Sequence, residues 1–214
     1  VSKTVGAGKK RKKILQNVDC EIKANEFVAI IGGSGAGKTT LMNAISGFEP
    51  GFSGKVYCNG ADMIKNFQRI KSVIGFVPQQ DIIYENLTLE RMLEYSSRLR
   101  MPKDTDTVER KKRIKEVLKM VDLEGQKNTL IRKLSGGQKK RASIAVELLA
   151  DPKLFFLDEP TSGLDPGTEK NLMISLKTLA RQHGKTIIMV THTTANLHLC
   201  DKILFMGPGG KLCF

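Results

Sequence analysis

The apolar run Phe27-Val28-Ala29-Ile30-Ile31 leads directly into Gly32-Gly33-Ser34-Gly35-Ala36-Gly37-Lys38-Thr39-Thr40. No other stretch restricts the possible folds so strongly. The run predicts a strand buried on both faces, and the spacing Leu41, Ala44, Ile45 behind it predicts a helix. Between them stands G-x-x-x-x-G-K-[ST], a phosphate-binding loop in the strand-then-helix setting that it requires. Glycines let successive backbone N–H groups turn inward around an anion. The helix start near Gly37 adds unpaired N–H groups and a positive dipole end. Lys38 would reach the β- and γ-phosphates of a nucleotide, and the Thr39 hydroxyl would bind Mg²⁺.

The rest of the chain must supply a core for this unit. At 214 residues and 40% hydrophobic content it can bury one large domain. No apolar run approaches the ~18 to 20 residues that a membrane-crossing helix needs, and the basic Lys9-Lys10-Arg11-Lys12-Lys13 leads into no apolar signal region. A soluble chain is therefore expected. Its opening at Val1 and its end within the strand-like Lys211-Leu212-Cys213-Phe214 suggest a piece of a longer protein. Cys20, Cys58, Cys200 and Cys213 form no C-x-x-C pair, which favours reduced cytosolic thiols over disulfides or zinc. The net charge of +13 gathers at residues 9–13, 110–113 and 139–141. Such clusters suit nucleic acid, an anionic membrane or plain solvated faces, but three Tyr and no Trp offer little for stacking on single strands.

Periodicity sketches the remaining elements. Ile14, Leu15 and Val18 to Ile22 alternate partly in polarity and predict antiparallel strands around a turn at Ala24-Asn25. Gly47 should end the first helix, and Lys55 to Cys58 and Val73 to Val77 read as strands. From Thr88, the spacing Leu89, Met92, Leu93, Leu99 gives an amphipathic helix ending by Pro102. A second follows with Ile114, Val117, Leu118 and Val121 on one face. Strand-like runs at Leu154–Leu157, Thr186–Val190 and Ile203–Met206 alternate with helical patterns around 137–149 and 169–182. That alternation predicts a parallel sheet with ligands at one edge.

Leu154-Phe155-Phe156-Leu157-Asp158-Glu159 delivers two carboxylates at the end of an apolar strand. Acids beside apolar neighbours call for cationic partners, and Mg²⁺ held with the nucleotide is one. Asp158 would hold the metal through water, and Glu159 would position or deprotonate the attacking water. Leu134-Ser135-Gly136-Gly137-Gln138 precedes them and opens a helix bearing Ala142, Ala145 and Leu149.

L-S-G-G-Q is the signature of the ATP-binding cassette family, and the chain resembles that family over nearly its full length. Gln79 matches the glutamine loop, Ser162-Gly163-Leu164-Asp165 the D-loop, and His192 in Val190-Thr191-His192 the switch histidine. Gly75-Phe76-Val77-Pro78-Gln79-Gln80-Asp81, Leu87-Thr88-Leu89-Glu90, Leu99-Arg100-Met101-Pro102 and Lys140–Leu148 resemble segments of the G, or White-type, transporter subfamily. The resemblance implies an α/β fold. A P-loop NTPase core with a parallel sheet and an N-terminal antiparallel β subdomain would cover 1–78 and 152–214. A helical signature subdomain would be inserted at about 79–151, within a single domain 1–214.

It further implies two cassettes paired head to tail, each ATP lying between the Lys38 loop of one and Ser135-Gly136-Gly137 of the other. Gln79 would sense Mg²⁺ together with Thr39 and Asp158 and relay closure to a transmembrane domain of the same or a partner chain. His192 would contact the γ-phosphate and steady the water or Glu159. The chain would then work at the cytoplasmic face of a membrane, with no nucleic acid partner. Such cassettes stack adenine on an aromatic residue before the loop, but residues 1–26 hold no Phe, Tyr or Trp. Either a residue such as Val5 packs there, or the stacking group lies upstream of Val1. Asn25 takes a usual glycine position, which its tolerance of left-handed geometry permits, and Gly33 stands where proline is frequent. A soluble cassette acting on DNA would need a long coiled coil between Lys38 and Ser135, and residues 39–134 are too few for one. The charge would also suit a ribosome-associated cassette, whereas Leu134–Gln138 argues against a simple nucleotide kinase.

Overall fold

The computed structural model describes residues 1–6, 11–80 and 83–213. Lys9 and Lys10 of the basic lead, Asp81 and Phe214 lie outside the described residues. Strands β1 (Lys3–Val5) and β2 (Lys12–Leu15) pair antiparallel, with Lys3 opposite Leu15 and Val5 opposite Lys12. This corrects the strand expected at Val18–Ile22. Asn17 turns the chain away with φ 48°, and Val18 is buried and Ile22 half-buried without a ladder partner. One-sided burial in an irregular segment copies the alternation of a strand. The turn at Ala24-Asn25 forms as expected, with Asn25 at φ 64° and its N–H donating to Thr186 Oγ1 at 3.0 Å.

Strand β3 (Phe27–Gly32) then enters the glycine loop, and helix α1 (Lys38–Ser46) ends at Gly47. The expected strand at Lys55–Cys58 is shorter. Strands β4 (Tyr57–Cys58) and β5 (Ala61–Asp62) form a small hairpin around Asn59-Gly60, both with positive φ as a tight hairpin turn demands. After the short helix α2 (Phe67–Ile70), strand β6 (Ile74–Val77) leads to Pro78-Gln79.

Helix α3 (Leu89–Arg100) is capped by Thr88 and α4 (Thr107–Met120) by Asp106, whose side chains accept from the N–H groups of Arg91 and Glu109. Each such cap contributes about 1 kcal/mol. The signature opens α5 (Gly136–Leu148). Strand β7 (Leu154–Asp158), helix α6 (Pro166–Gln182), strand β8 (Thr186–Val190), β9 (Lys202–Gly207) and β10 (Lys211–Leu212) complete the chain.

The main sheet has the order β10-β9-β3-β8-β7-β6, with β10 antiparallel and the other neighbours parallel. Its central strands are apolar throughout because both faces are covered, and alternation divides their side chains between two cores. Phe27, Ala29, Phe155, Leu157, Ile187 and Met189 pack on the side of α3 to α6. Val28, Ile30, Phe156, Ile188 and Val190 pack with Leu41 and Met42 of α1. Parallel strands end at the same edge. Hence the glycine loop after β3, Gln79 after β6, Asp158-Glu159 at the end of β7 and His192 after β8 share one rim, although the chain places them far apart.

Candidate nucleotide site at the strand ends

Gly37 is the N-cap of α1 with φ 90°, and a Cβ there would sit 2.7 Å from the carbonyl oxygen of Ile14. Only glycine suits both the left-handed backbone and the close approach. No side chain caps α1 and no acid lies in its first turn. Among the described residues, the N–H groups of Ser34, Gly35 and Gly37 have no protein acceptor. An exposed loop with unclaimed donors at a helix start fits an anion. Lys38, only 8% exposed, folds back so that Nζ donates to the carbonyls of Gly32 at 2.9 Å and Gly33 at 3.1 Å. Those bonds hold its ammonium over the loop, where phosphate oxygens can replace carbonyls as acceptors.

Thr39 Oγ1 donates to Asp158 Oδ1 at 3.3 Å, joining the helix start to the end of β7. Burial pushes the Asp158 carboxyl above its ordinary value, against the Thr39 bond and the Lys38 charge, and the neighbouring Glu159 adds to the rise. A cation beside Asp158 would relieve that desolvation. Among the described residues no cluster of three His, Cys, Asp or Glu can hold a metal alone. A hard cation here would therefore complete its shell with phosphate oxygens and water, as Mg²⁺ does.

Glu159 adopts φ 46°, a left-handed backbone that costs a side-chain-bearing residue about 1–2 kcal/mol. Its N–H donates to the Val190 carbonyl at 3.0 Å, and its own carbonyl accepts from Ser162 N–H at 3.1 Å. These bonds turn the side chain to the rim. There Glu159 Oε2 accepts from Gln79 Nε2 at 3.1 Å and lies 3.4 Å from His192 Nδ1. Three separate strand ends thus meet at one carboxylate oxygen.

The signature residues lie elsewhere. Ser135 and Gln138 form a reciprocal capping box at the start of α5, and among the described residues their side chains make no hydrogen bond to residues 32–40. Leu134 is buried in the core beside α3 to α6, while Ser135 and Gly136 are exposed. Gly137 is pressed on α6, where an added Cβ would come within 2.1 Å of Thr168 Cγ2. The adjoining segment Ser162-Gly163-Leu164-Asp165 ends in the N-cap of α6, with Asp165 Oδ1 accepting from Gly167 N–H at 3.1 Å and Thr168 N–H at 3.0 Å. Hydrogen bonds from the Thr168 side chain and backbone hold the Asp165 carboxyl below its ordinary value.

Several polar anchors around the site belong to no sequence motif. Lys140 Nζ donates to the Gln79 carbonyl at 3.0 Å. Glu147, on the same helix, binds Arg100 through both carboxylate oxygens and accepts from Phe76 N–H at 3.4 Å. Burial nevertheless keeps its carboxyl above the ordinary value. Glu169 accepts from Thr193 and Asn196 beside His192. The only signal available was charge on positions that the helical pattern turns inward, such as Lys140 and Glu147 in α5.

The sequence model of the ABC transporter family matches residues 15–162. An ABC transporter ATP-binding/permease protein of Mycobacterium tuberculosis is 39% identical over 203 residues, covering 95% of this chain and 23% of that protein. ABC transporter G family member 28 of Arabidopsis thaliana is 35% identical, covering 96% of this chain and 19% of that protein. The chain therefore spans less than a quarter of the length of either relative. The dimeric structure of a bacterial ABC transporter cassette superposes with a TM-score of 0.84 at 33% identity, over 100% of this chain and 94% of that one. A dimeric post-hydrolysis state of such a cassette, bound to ADP and Pi, gives 0.83. With the glycine loop, the carboxylate pair and the signature helix on one such framework, this chain belongs to the ABC transporter family.

Proposed function

We propose that this chain is the ATP-binding and ATP-hydrolysing cassette of a membrane transporter of the G subfamily. The observation that carries the reading is the convergence of Gln79, Glu159 and His192 beside a loop of unclaimed N–H donors. The residues Gly32–Thr40 bind the phosphates, with Lys38 exchanging loop carbonyls for β- and γ-phosphate oxygens. Thr39, Asp158 and Gln79 would hold Mg²⁺, which when bound offsets charge on the phosphates. Glu159 takes the proton of the attacking water, and His192 orients that carboxylate and the γ-phosphate.

Ser135-Gly136-Gly137 and the segment Ser162–Asp165 serve the site of a second cassette packed head to tail. In that arrangement the helical residues, about 79–151, move against the nucleotide core formed by 1–78 and 152–214. Gln79 passes that motion to a transmembrane domain at the cytoplasmic face of a membrane. Among the described residues no helix is long and apolar enough to cross one. The spanning part would belong to the same longer protein or to a partner chain.

Glu159→Gln tests the reading. Loss of the base should lower hydrolysis at least about 100-fold while ATP affinity is retained, and Mg-ATP should double the mass seen by light scattering. Normal hydrolysis by this variant would remove Glu159 from the role of base.

A further inference from the structure

Glu169 is a buried carboxylate that the chemistry above leaves unused. It lies in the first turn of α6, where the helix dipole favours an acid, yet it is only 7% exposed. Among the described residues it has no ion pair. Its Oε1 instead accepts from the buried Asn196 Nδ2 at 3.0 Å and from Thr193 Oγ1 at 3.2 Å. An ionised carboxylate away from water keeps such charge-assisted bonds because losing them leaves it unpaired.

Both donors follow His192 in the turn after β8. Thr191 N–H donates to the Ile30 carbonyl at 3.1 Å, Thr193 N–H donates to Thr191 Oγ1 at 3.2 Å, and the two hydroxyls lie 3.2 Å apart. Since the carboxylate only accepts, Thr193 must give its proton to Glu169, which leaves the Thr191 hydroxyl to donate to Thr193. One proton order results, and the backbone on both sides of His192 is pinned. The His192 side chain itself is exposed, and its 3.4 Å contact with Glu159 depends on where that turn sits.

We propose that Glu169 is a positioning residue for hydrolysis: through Thr193 and Asn196 it clamps the turn carrying His192 so that the imidazole stays within reach of Glu159. This rests on the ATPase reading given above. The clamp also ties His192 to Asp165, the N-cap of the same helix, so one turn of α6 sets both.

The test compares Glu169→Ala, Glu169→Gln, His192→Ala and the Glu169→Ala/His192→Ala pair. For each, ATP hydrolysis and ATP affinity are followed, and in the wild type and the two single Glu169 variants the NMR signals of the His192 imidazole as well. Glu169→Ala should lower kcat about 10- to 100-fold, the scale of a small misplacement at a reacting centre, with affinity unchanged. Glu169→Gln keeps an acceptor oxygen and should recover most of the rate. Without His192, Glu169→Ala should cost nothing further. The imidazole signals should move in Glu169→Ala and stay in place in Glu169→Gln. Equal losses of rate with and without His192, or imidazole signals that do not move in Glu169→Ala, would overturn the clamp. The NMR comparison decides it even if the chain fails to hydrolyse ATP, a result that would instead defeat the ATPase reading.

Discussion

Two helices of this chain begin in glycine-rich, solvent-facing turns, and they begin differently. Helix α1 has no side-chain cap, a buried lysine folded over its entrance and, among the described residues, loop N–H groups with no acceptor. Helix α5 is closed by the Ser135–Gln138 capping box, which satisfies two donors, the N–H groups of Ser135 and Gln138, and Gly137 is braced against Thr168. The first start leaves its donors open to a ligand from outside the chain, with Lys38 folded over the loop and Thr39 bonded to Asp158 beside it. The second is a finished surface feature that keeps an exposed Ser135, followed by Gly136 and Gly137, whose N–H groups fall in the first turn where no intrahelical carbonyl can accept them. A helix start left uncapped depends on its ligand for satisfaction; a capped one is stable alone and can be presented to another molecule.

The comparison breaks most visibly at Lys38. Lys38→Ala removes a buried cation from the phosphate loop and should weaken ATP binding about 10- to 100-fold by calorimetry, the value of one or two charge-assisted bonds. Unchanged binding would mean that α1 does not hold the phosphates. At α5, Gly137→Ala forces a methyl into Thr168 and should cost about 1–3 kcal/mol. That is a fall of roughly 2–12 °C in Tm for a chain of this size, and Thr168→Ser should recover part of it. ATP binding by the single chain should persist in Gly137→Ala, and its loss would show that the two starts are not independent. Ser135→Ala removes the cap alone and should cost about 1 kcal/mol, again with ATP binding intact.

The smallest effect concerns a control region remote from both starts. Asp151 accepts from Lys185 at 2.7 Å, Arg113 at 3.0 Å and Lys153 at 3.0 Å, and Lys185 is 1% exposed. Burial alone would raise the Asp151 carboxyl, but the Lys185 and Lys153 bonds outweigh it and bring it down to about 2 from 3.8. A depressed carboxyl stabilises the fold above its unfolded value, and that contribution disappears as pH falls from about 4 to about 2. Because Asp151 is half-exposed, solvent screening holds the contribution to under about 1 kcal/mol. Urea unfolding at pH 5 and pH 3 should show about half of this increment in the wild type, pH 3 being the middle of that window, and none of it in Asp151→Asn.

How far each part was legible follows from how local its cause is. The glycine loop, the acids ending β7 and the signature at the start of α5 each need residues within a few positions of one another, so a spacing pattern is enough. The antiparallel pair near the N-terminus was misplaced because Val18 and Ile22 are buried by the core and not by a strand partner. Arg100 with Glu147, Lys185 with Asp151, and Glu169 with Asn196 were invisible, because a charged residue in a sequence does not name the distant group that will satisfy it.

By itself, then, the sequence determined the strand-loop-helix unit, the parallel architecture and the chemical character of each site residue. These depend on local backbone preference and apolar periodicity. Only the tertiary structure decided that Gln79 and His192 meet at one oxygen of Glu159, and that Glu169 accepts from Thr193 and Asn196 in the turn after His192. Hydrogen bonds act over about 3 Å, and only packing of the sheet and its helices brings chain-distant groups to that range.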